Sequence, residues 1–435
     1  MGETPYCAFD EQDKPSSDLI RDCVHCGFCL SACPTYLQTG NELDSPRGRI
    51  YLMHSAVNGE IPLEGSLVKH LDMCLGCLGC EPACPSGVQY GSLIEAGRSQ
   101  IERRYERSGF DKFYRSTIFS LFPYPKRMKL MLPLFYVYQK LGLRSLIQST
   151  GILSRFSQKL ANMEAMLPEV NSPTFPDELP EVIPAKGQQR YRVALLTGCV
   201  QSVFFSKTNE ATVRVLAENG CEVIVPQNQS CCGALSVHSG RLSEGREFAI
   251  QTIKTFEELD VDAFVINSAG CGSTIKDYGE ILKDDPQYAE RAEVLSEKTK
   301  DIMEFLSEIG LKGELGNLDI KVTYQDACHI GHAQRIKEQP REVLNEIPGL
   351  ELIEMPESDL CCGSAGIYNL VQPEMSQGLL DRKMGNVKQN KVDYLVAGNP
   401  GCLLQIQKGI KNNGLNIKTA HPVELLDWSY RGTVD

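Results

Sequence analysis

Two cysteine runs near the N-terminus restrict this chain more than any other feature. CVHCGFCLSACP spans residues 23–34, and CLGCLGCEPACP, with the same cysteine spacing, spans residues 74–85. The pattern C-x2-C-x2-C-x3-C-P is typical of bacterial [4Fe–4S] proteins, in which the fourth cysteine binds the other cluster. The runs therefore predict two [4Fe–4S] clusters, the first held by Cys23, Cys26, Cys29 and Cys84 and the second by Cys74, Cys77, Cys80 and Cys33.

Zinc is the alternative ligand of these runs, because it also binds four thiolates. Structural zinc sites usually combine two C-x2-C pairs, so two triple runs that end in proline favour iron–sulfur clusters. The 40 residues between Cys33 and Cys74 are more than a minimal two-cluster ferredoxin needs. We therefore expect a helical ferredoxin domain over residues 1–97, with one helix capped by Ser45, begun by Pro46 and ended by Gly59.

The C-terminal half repeats itself. Cys199, Cys231, Cys232 and Cys271 recur as Cys328, Cys361, Cys362 and Cys402, at offsets of 129, 130, 130 and 131 residues. Such a constant offset indicates duplication. Each copy contains a CCG motif, and we call the copies the first and second CCG units, expected at residues 191–315 and 316–435.

Both CCG units alternate strand-like apolar runs with helical patterns. The strand-like runs lie at 193–197, 222–226 and 263–267 in the first unit and at 321–324, 351–355 and 394–398 in the second. This alternation predicts a parallel sheet covered by helices, with ligands bound where the strands end. The fold class expected for the chain is thus α+β and multidomain, a helical two-cluster ferredoxin domain followed by two duplicated α/β units with parallel sheets.

The cysteines of the CCG units follow the predicted strands and could converge at one edge of each sheet. Three interpretations are open for them: a further iron–sulfur cluster in one or both units, a zinc site, or a reactive dithiol. The candidate ligands are Cys199, Cys231, Cys232, Cys271, Cys328, Cys361, Cys362 and Cys402. Beside them, His329 and His332 could hydrogen-bond a sulfur or move protons.

The segment between the ferredoxin domain and the CCG units is basic and aromatic. Residues 98–159 contain thirteen Lys or Arg and three Asp or Glu, although the whole chain has a net charge of −12. Prolines 123, 125 and 133 are expected to divide residues 98–160 into short helices, and the five prolines of residues 161–190 predict a linker. Cationic amphipathic helices bind anionic surfaces, which makes peripheral membrane contact one interpretation and a solvated face the other.

The overall composition excludes several classes of protein. An acidic chain argues against nucleic-acid binding. The N-terminus has no secretory signal, and no apolar run reaches the roughly 20 residues of a spanning helix. We therefore expect a cytoplasmic protein, peripherally associated with the inner membrane at most, in which 18 cysteines stay reduced.

Four stretches of the sequence resemble one family. They are CVHCGFCLSACPTYLQTGNELDSPRGRIYL (23–52), HLDMCLGCLGCEPACPSGVQYGSLIEAGR (70–98), NSAGCGSTIKDYGEILKDD (267–285) and LCCGSAGIYNL (360–370). In these stretches the chain resembles the iron–sulfur subunit of bacterial glycolate oxidase, also called glycolate dehydrogenase. The resemblance covers nearly the whole chain and is weakest from about 110 to 190. The wider group includes subunits of D-lactate and anaerobic glycerol-3-phosphate dehydrogenases and heterodisulfide reductase.

The resemblance implies an electron-transfer subunit with no catalytic residue of its own. FAD-containing partner subunits would oxidise glycolate to glyoxylate, and this chain would pass the electrons towards quinone or another acceptor. The sequence agrees with this division of work, because it has no G-x-G-x-x-G after a strand and nothing else typical of a flavin or nicotinamide site. D-lactate, another 2-hydroxy acid or glycerol-3-phosphate is the alternative substrate.

The sequence departs from the related heterodisulfide reductase domains at one position in each unit. Those domains end in C-x2-C, whereas the matching segments here read CGST (271–274) and CLLQ (402–405). Thr274 and Gln405 replace the fifth cysteine, which disfavours a five-thiolate cluster. The change also weakens the remaining alternative, a thiol–disulfide reductase that uses the CCG cysteines.

Overall fold

The N-terminal domain is helical, as expected. A computed structural model describes residues 8–165, 167 and 178–434. Up to residue 105, the described part of the chain forms helices and no strand. The elements are α1 (Ser17–Arg21), α2 (Pro34–Thr39), a 3-10 turn (Glu42–Asp44), α3 (Pro46–Val57), α4 (Gly65–Asp72) and α5 (Tyr90–Arg104).

Helix α3 begins as its sequence predicts. The Ser45 hydroxyl accepts a hydrogen bond from the Gly48 amide at 3.0 Å, and Pro46 is the first helical residue. Gly48 is required here because a Cβ atom would lie 2.0 Å from the Glu42 carbonyl oxygen. Ile50 and Met53 pack with residues of α4 and α5 in one buried core. The cysteine runs are the loops that connect these helices.

Five helices form the basic segment: α6 (Gly109–Leu121), α7 (Pro125–Lys140), α8 (Leu143–Thr150), α9 (Ile152–Phe156) and α10 (Gln158–Ala165). The prediction that Pro133 ends a helix is wrong, because Pro133 lies inside α7. Met128 and Leu132 anchor α7 in an apolar cluster with Val203 of the first CCG unit, and this packing offsets the lost backbone hydrogen bond. Residues 168–177 of the predicted linker lie outside the described residues.

Each CCG unit contains a parallel sheet, which confirms the predicted fold. The first sheet has the strand order β1-β3-β2-β4-β5, and only β1 is antiparallel to its neighbour. The second has the order β7-β6-β8-β9 and is fully parallel. The strands are β1 (Val182–Ile183), β2 (Tyr191–Leu196), β3 (Cys221–Ile224), β4 (Ala263–Ile266), β5 (Thr299–Asp301), β6 (Ile320–Gln325), β7 (Leu350–Leu352), β8 (Tyr394–Ala397) and β9 (Lys418–Ala420).

Helices cover both sheets. In the first unit they are α11 (Val200–Phe204), α12 (Ser206–Glu218), α13 (Ala234–His238), α14 (Leu242–Phe256), α15 (Ala269–Lys276), α16 (Tyr278–Ile281), α17 (Ala289–Lys298) and α18 (Ile302–Ile309). The second unit has a π-helical turn (His329–Ala333) and α19 (Glu338–Asn345), α20 (Tyr368–Val371), α21 (Pro373–Val387), α22 (Pro400–Asn412) and α23 (Pro422–Arg431). Among the described helices, none is long and apolar enough to span a bilayer.

The two CCG units share one hydrophobic core. Val193 and Val223 of the first sheet lie in the same buried cluster as Val322 and Trp428 of the second unit. At its edge, Arg214 of α12 forms an ion pair with Asp427 of α23 at 2.8 Å. The shared core fixes the two sheets relative to each other, so that their cysteine-bearing loops face the same side.

Acid should destabilise the second unit through His421. This buried residue caps α23 by accepting a hydrogen bond from the Val423 amide, and burial lowers its pKa to about 3. The unfolded chain binds this proton near the usual pKa of 6.5, so stability present above pH 6.5 is lost as pH falls towards 3. We expect His421→Asn, which keeps a capping oxygen, to remove about 1.4 kcal/mol of the stability lost between pH 7.5 and 5.5. Anaerobic urea unfolding at both pH values measures this difference, and equal losses in the two proteins would contradict it.

Candidate metal centres

The eight ferredoxin cysteines line two neighbouring cavities. One is lined by Cys23, Cys26, Cys29 and Cys84 together with Cys80. The other is lined by Cys33, Cys74, Cys77 and Cys80. The helical domain thus brings the last cysteine of each run to the three leading cysteines of the other run. The assignment of ligands to clusters stays a prediction, but the donor sets fit two four-thiolate clusters.

Both cysteine runs turn in the same way. The residues two and four positions after the first cysteine have positive φ in each run, 54° and 89° at His25 and Gly27 and 66° and 57° at Gly76 and Leu78. Left-handed backbone at these places makes a tight loop around the sulfurs. In the second run the Gly76 amide donates to Cys74 Sγ at 3.3 Å. Backbone donors of this kind stabilise thiolates and the clusters that thiolates bind.

The CCG cysteines lie where the parallel strands end. Cys199 follows β2, Cys231 and Cys232 follow β3, and Cys271 lies in the first turn of α15 after β4. The second unit repeats this placement after β6, β7 and β8. Gly233 and Gly363 have φ of 82° and 86°. A Cβ atom there would lie 3.0 Å from the Gly245 carbonyl and 2.7 Å from the Ser376 carbonyl, so glycine allows the two CCG turns to pack on α14 and α21, respectively.

In each unit the four thiols form a connected chain. Cys199 Sγ and Cys231 Sγ are 3.6 Å apart. Hydrogen bonds from Cys199 and Cys232 hold the pKa of Cys231 well below its ordinary value. Hydrogen bonds from Cys361 and Cys402 have the same effect on the pKa of Cys362 in the second unit. Each unit therefore offers four clustered sulfurs, at least one of which is readily ionised, as a metal ligand or a nucleophile must be.

Both quartets open onto a single cavity of about 660 Å³, which we call the inter-unit cavity. Three other parts of the chain complete its wall: helices of the basic segment, α5 and the loop that holds Leu75. Its cysteines are Cys199, Cys231, Cys232, Cys271, Cys328, Cys361 and Cys402. The duplication thus places the two thiol quartets around one space.

Three family models match the chain over these regions. A 4Fe–4S dicluster domain matches residues 20–88, the linker region of the glycolate oxidase iron–sulfur subunit matches 110–167, and a cysteine-rich CCG domain matches 193–276 and 322–407. A probable glycolate oxidase iron–sulfur subunit of Bacillus subtilis is 41% identical, covering 94% of this chain and 93% of its own length. The chain belongs to the family of glycolate oxidase iron–sulfur subunits.

Other relatives extend this finding. The glycolate oxidase iron–sulfur subunit of Escherichia coli is 34% identical and covers 89% of each chain. Lactate utilization protein A of Shouchella clausii is 32% identical over 54% of this chain and 98% of its own length. The predicted resemblance and electron-transfer role are confirmed at the level of the family. Like its relatives, the chain is an iron–sulfur subunit of an oxidoreductase complex.

The family match disfavours zinc at the ferredoxin quartets. Four thiolates around one zinc ion at 2.3 Å lie within about 4 Å of one another. Among the described residues, no group of three or more His, Cys, Asp or Glu side chains is arranged to hold a single metal ion. The match of residues 20–88 to a 4Fe–4S dicluster domain favours iron–sulfur clusters at the ferredoxin quartets.

The two positions that replace a fifth cysteine are engaged elsewhere. The Thr274 hydroxyl lies 3.2 Å from His238 Nε2. The amide of Gln405 hydrogen-bonds Ser376 at 2.9 Å and Asn369 at 3.2 Å. Both side chains are buried and serve the packing of the fold. The structure therefore offers four sulfur ligands per CCG unit, not five.

The second ferredoxin quartet lies against the second CCG unit. Cys77 belongs to the same buried apolar cluster as Cys328 and Cys361. His332, in the π-helical turn after Cys328, lies with Nδ1 3.1 Å from the Cys77 carbonyl oxygen. The Tyr368 hydroxyl donates to the Met73 carbonyl at 2.9 Å. These contacts place sulfurs of the ferredoxin domain beside sulfurs of the second unit in one buried cluster.

The sequence reasoning missed a buried cation beside the second quartet. Arg49 is 1% exposed and donates to the His70 carbonyl at 2.7 Å and to Thr35 Oγ1 at 3.0 Å, while its Nη1 lies 3.9 Å from Cys33 Sγ. Burial raises the pKa of Cys74, but the charges of Arg49 and Arg98 outweigh this and hold the pKa below its ordinary value. The PRGR segment (46–49) could have indicated this cation, because it places two arginines between the two cysteine runs.

We expect Arg49→Met to make the second cluster harder to reduce. Removing a buried positive charge disfavours the added electron, and a change of only 1.4 kcal/mol lowers a one-electron potential by about 60 mV. Redox titration followed by electron paramagnetic resonance measures the shift. The first cluster provides the internal control, because its potential should move much less.

Arg47→Met is the matched variant for this experiment. Arg47 lies two residues away, pairs with Glu42 and donates to the His25 carbonyl beside the first quartet. Its replacement should leave the second cluster within error of the unmodified protein. A shift of the second cluster in Arg47→Met as large as in Arg49→Met would show that general loosening of α3, not the buried charge, sets the potential.

Proposed function

We propose that this chain is the electron-transfer subunit of a glycolate dehydrogenase and that a flavoprotein partner carries the substrate site. The chain belongs to the iron–sulfur subunit family, and sixteen of its cysteines are gathered in four quartets, two in the ferredoxin domain and one in each CCG unit. Bound at the ferredoxin quartets, [4Fe–4S] clusters would supply reversible one-electron transfer. The residues that would hold them are Cys23, Cys26, Cys29 and Cys84, and Cys33, Cys74, Cys77 and Cys80.

The observation that carries the proposal is the continuity of the sulfur sites. Cys80 lines both ferredoxin cavities, and Cys77 shares an apolar cluster with Cys328 and Cys361. A chain built to bind or transform a hydroxy acid would need charged or hydrogen-bonding groups around the substrate carbon and a hydride acceptor. A chain built to move electrons needs closely spaced redox sites, and the neighbouring positions of these sulfur sites support that role.

Oxidation of the substrate requires two electrons to leave together with protons, which a flavin accepts and a single cluster does not. We therefore assign glycolate oxidation to FAD-containing partner subunits and the transfer of electrons towards quinone or another acceptor to this chain. The clusters in the CCG units, one or both, are part of the proposal, since each unit supplies four buried or half-buried thiols.

Peripheral membrane contact through the basic segment accompanies this function. Helix α7 exposes Leu130, Leu134 and Val137, at 75%, 60% and 50% of their surfaces, within a segment rich in Lys and Arg. An exposed apolar stripe flanked by cations is the composition that binds anionic lipid surfaces. The solvated-face alternative predicts no binding to vesicles that contain anionic lipid.

D-lactate is the second candidate substrate. The match to lactate utilization protein A, which covers 54% of this chain, supports lactate as a substrate but does not specify its enantiomer. Because the substrate would bind to the flavoprotein partner, residues of this chain do not distinguish the two hydroxy acids.

The test is anaerobic reduction of the native complex, isolated through a tag on this chain. Glycolate should produce the electron paramagnetic resonance signal of reduced clusters within the time of a few turnovers, and D-lactate should produce little. The reverse pattern would assign the complex to lactate. Clusters that dithionite reduces but neither hydroxy acid reduces would overturn the proposed function.

A further inference from the structure

The inter-unit cavity has the size of a small-molecule site. Its volume of about 660 Å³ lies in the range of small-molecule sites, which is roughly 300–1,000 Å³. Thiols of both CCG units face it, so a molecule held there would lie beside two candidate redox sites at once. The proposed function does not specify where an electron acceptor binds.

The wall that α7 contributes is apolar. Met128, Met131 and Phe135 of α7 line the cavity. These positions are three and four residues apart and lie on one face of the helix, while Leu130, Leu134 and Val137 are exposed on another face. Helix α7 is therefore apolar on both sides, one towards the cavity and one towards solvent. An occupant that partitions between lipid and protein fits such a wall.

Three buried polar atoms in the lining residues lack a hydrogen bond among the described residues, and one of them, Arg107 Nε, lies 3.7 Å from Glu102 Oε2 in an ion pair. Gln201 is 3% exposed, and its Oε1 atom has no hydrogen bond among the described residues. His329 places Nδ1 3.4 Å from Cys328 Sγ, and its buried Nε2 atom also has no hydrogen-bond partner in the described part of the chain. Buried polar atoms without partners are costly, so the other two indicate a group that binds there. The charged residues of the lining are paired with neighbouring groups, as Arg107 is with Asp72 at 2.8 Å and Arg115 with Glu102 at 3.7 Å, so few polar atoms remain for a ligand.

We propose that the inter-unit cavity binds the ring of a quinone, with Gln201 and His329 as its polar contacts. This inference rests on the proposed function and gives it an acceptor site. Reduction of a quinone to the hydroquinone takes up two electrons and two protons, and oxidation of one glycolate to glyoxylate releases the same number. A hydroquinone hydroxyl can donate to Gln201 Oε1, which accepts no other hydrogen bond from the described residues.

Gly270 allows the cavity to be filled without strain. It lies in α15 and lines the cavity, and a Cβ atom added to it would meet no atom within 4 Å. Gly270→Leu therefore places a bulky side chain in the proposed site. Gly385 provides the matched control. Like Gly270 it is helical and has space for an added Cβ, but it is exposed and lies in α21, outside the cavity lining.

The experiment measures binding of 2,3-dimethyl-1,4-naphthoquinone to the cluster-loaded full chain by anaerobic equilibrium dialysis. We expect Gly270→Leu to weaken binding at least tenfold and Gly385→Leu to leave it unchanged. Gln201→Met, which keeps the side-chain length, should weaken binding several-fold. It also serves as the test if Gly270→Leu fails to fold or loses iron.

Absence of binding to the unmodified chain would overturn the proposal. So would equal affinity in all variants, which would place the quinone elsewhere. Binding does not depend on glycolate. A chain that binds the quinone at this cavity but is not reduced by glycolate would therefore contradict only the proposed function.

Discussion

Replacing Cys84 by alanine should remove the first iron–sulfur cluster, although Cys84 ends the second cysteine run. Cys84 lines the cavity of Cys23, Cys26 and Cys29. A cluster that loses one of four thiolates loses both a bond and the charge that balances iron. We expect iron to fall from about eight to about four per ferredoxin domain, measured on anaerobically purified protein with the CCG cysteines replaced in the background.

Which cluster is lost decides the ligand sets. Cys84→Ala should lose the same electron paramagnetic resonance signal as Cys23→Ala, and Cys33→Ala the same signal as Cys74→Ala. Because ligands of one cluster act as a unit, the Cys23/Cys84 double variant should lose no more iron than either single variant. If Cys84→Ala instead matched Cys74→Ala, each run would hold its own cluster and the crossed assignment would be wrong.

Cys221→Ala is the control for removal of a buried cysteine. Cys221 lies in β3, is fully buried and is not among the cavity-lining cysteines. Replacing it removes packing contacts in the shared core but should leave all iron bound. A Cys221→Ala protein that also lost half its iron would mean that the other variants report on folding rather than on ligation.

Local sequence pattern is most informative where chemistry requires a residue type at a fixed spacing. The cysteine runs, the duplication and three strands of each sheet follow from local pattern. Strands β5 and β9 were not foreseen, because three residues at a sheet edge carry too little periodicity. Pro133 was misread, since tertiary contacts of Met128 and Leu132 hold α7 together across it.

Relations between distant segments could not be predicted from local pattern. The cavity wall formed by α7, the contact of Cys77 with Cys328 and the burial of Arg49 depend on how three regions dock. His238 illustrates this, because its Nδ1 lies 2.8 Å from the Glu95 carboxylate of the ferredoxin domain and its ring contacts that of His329 of the second unit, tilted by 37° with the ring centres 4.7 Å apart. The sequence around each of these residues does not indicate which distant residue it contacts.

Removing the thiols of the second CCG unit should block electrons beyond the ferredoxin domain. Cys77, Cys328 and Cys361 lie in one apolar cluster, so the second unit is the CCG unit whose sulfurs pack against the second quartet. In the Cys361→Ala/Cys362→Ala complex, quinone-linked turnover with glycolate should fall at least about 100-fold, since even outer-shell changes at a metal site cost 10–100-fold. Glycolate should still reduce the ferredoxin clusters, which electron paramagnetic resonance would show.

The matched variant removes the corresponding pair from the first unit. Cys231 and Cys232 face the inter-unit cavity but are not in the apolar cluster with Cys77. Both double variants lose two sulfurs. If electrons pass through the second unit, Cys231→Ala/Cys232→Ala should retain more turnover than Cys361→Ala/Cys362→Ala. Equal and complete losses in both would instead indicate that the two quartets act as one site around the shared cavity. Full turnover in the Cys361→Ala/Cys362→Ala complex would contradict the route through the second unit, because electrons would then leave from the ferredoxin domain directly.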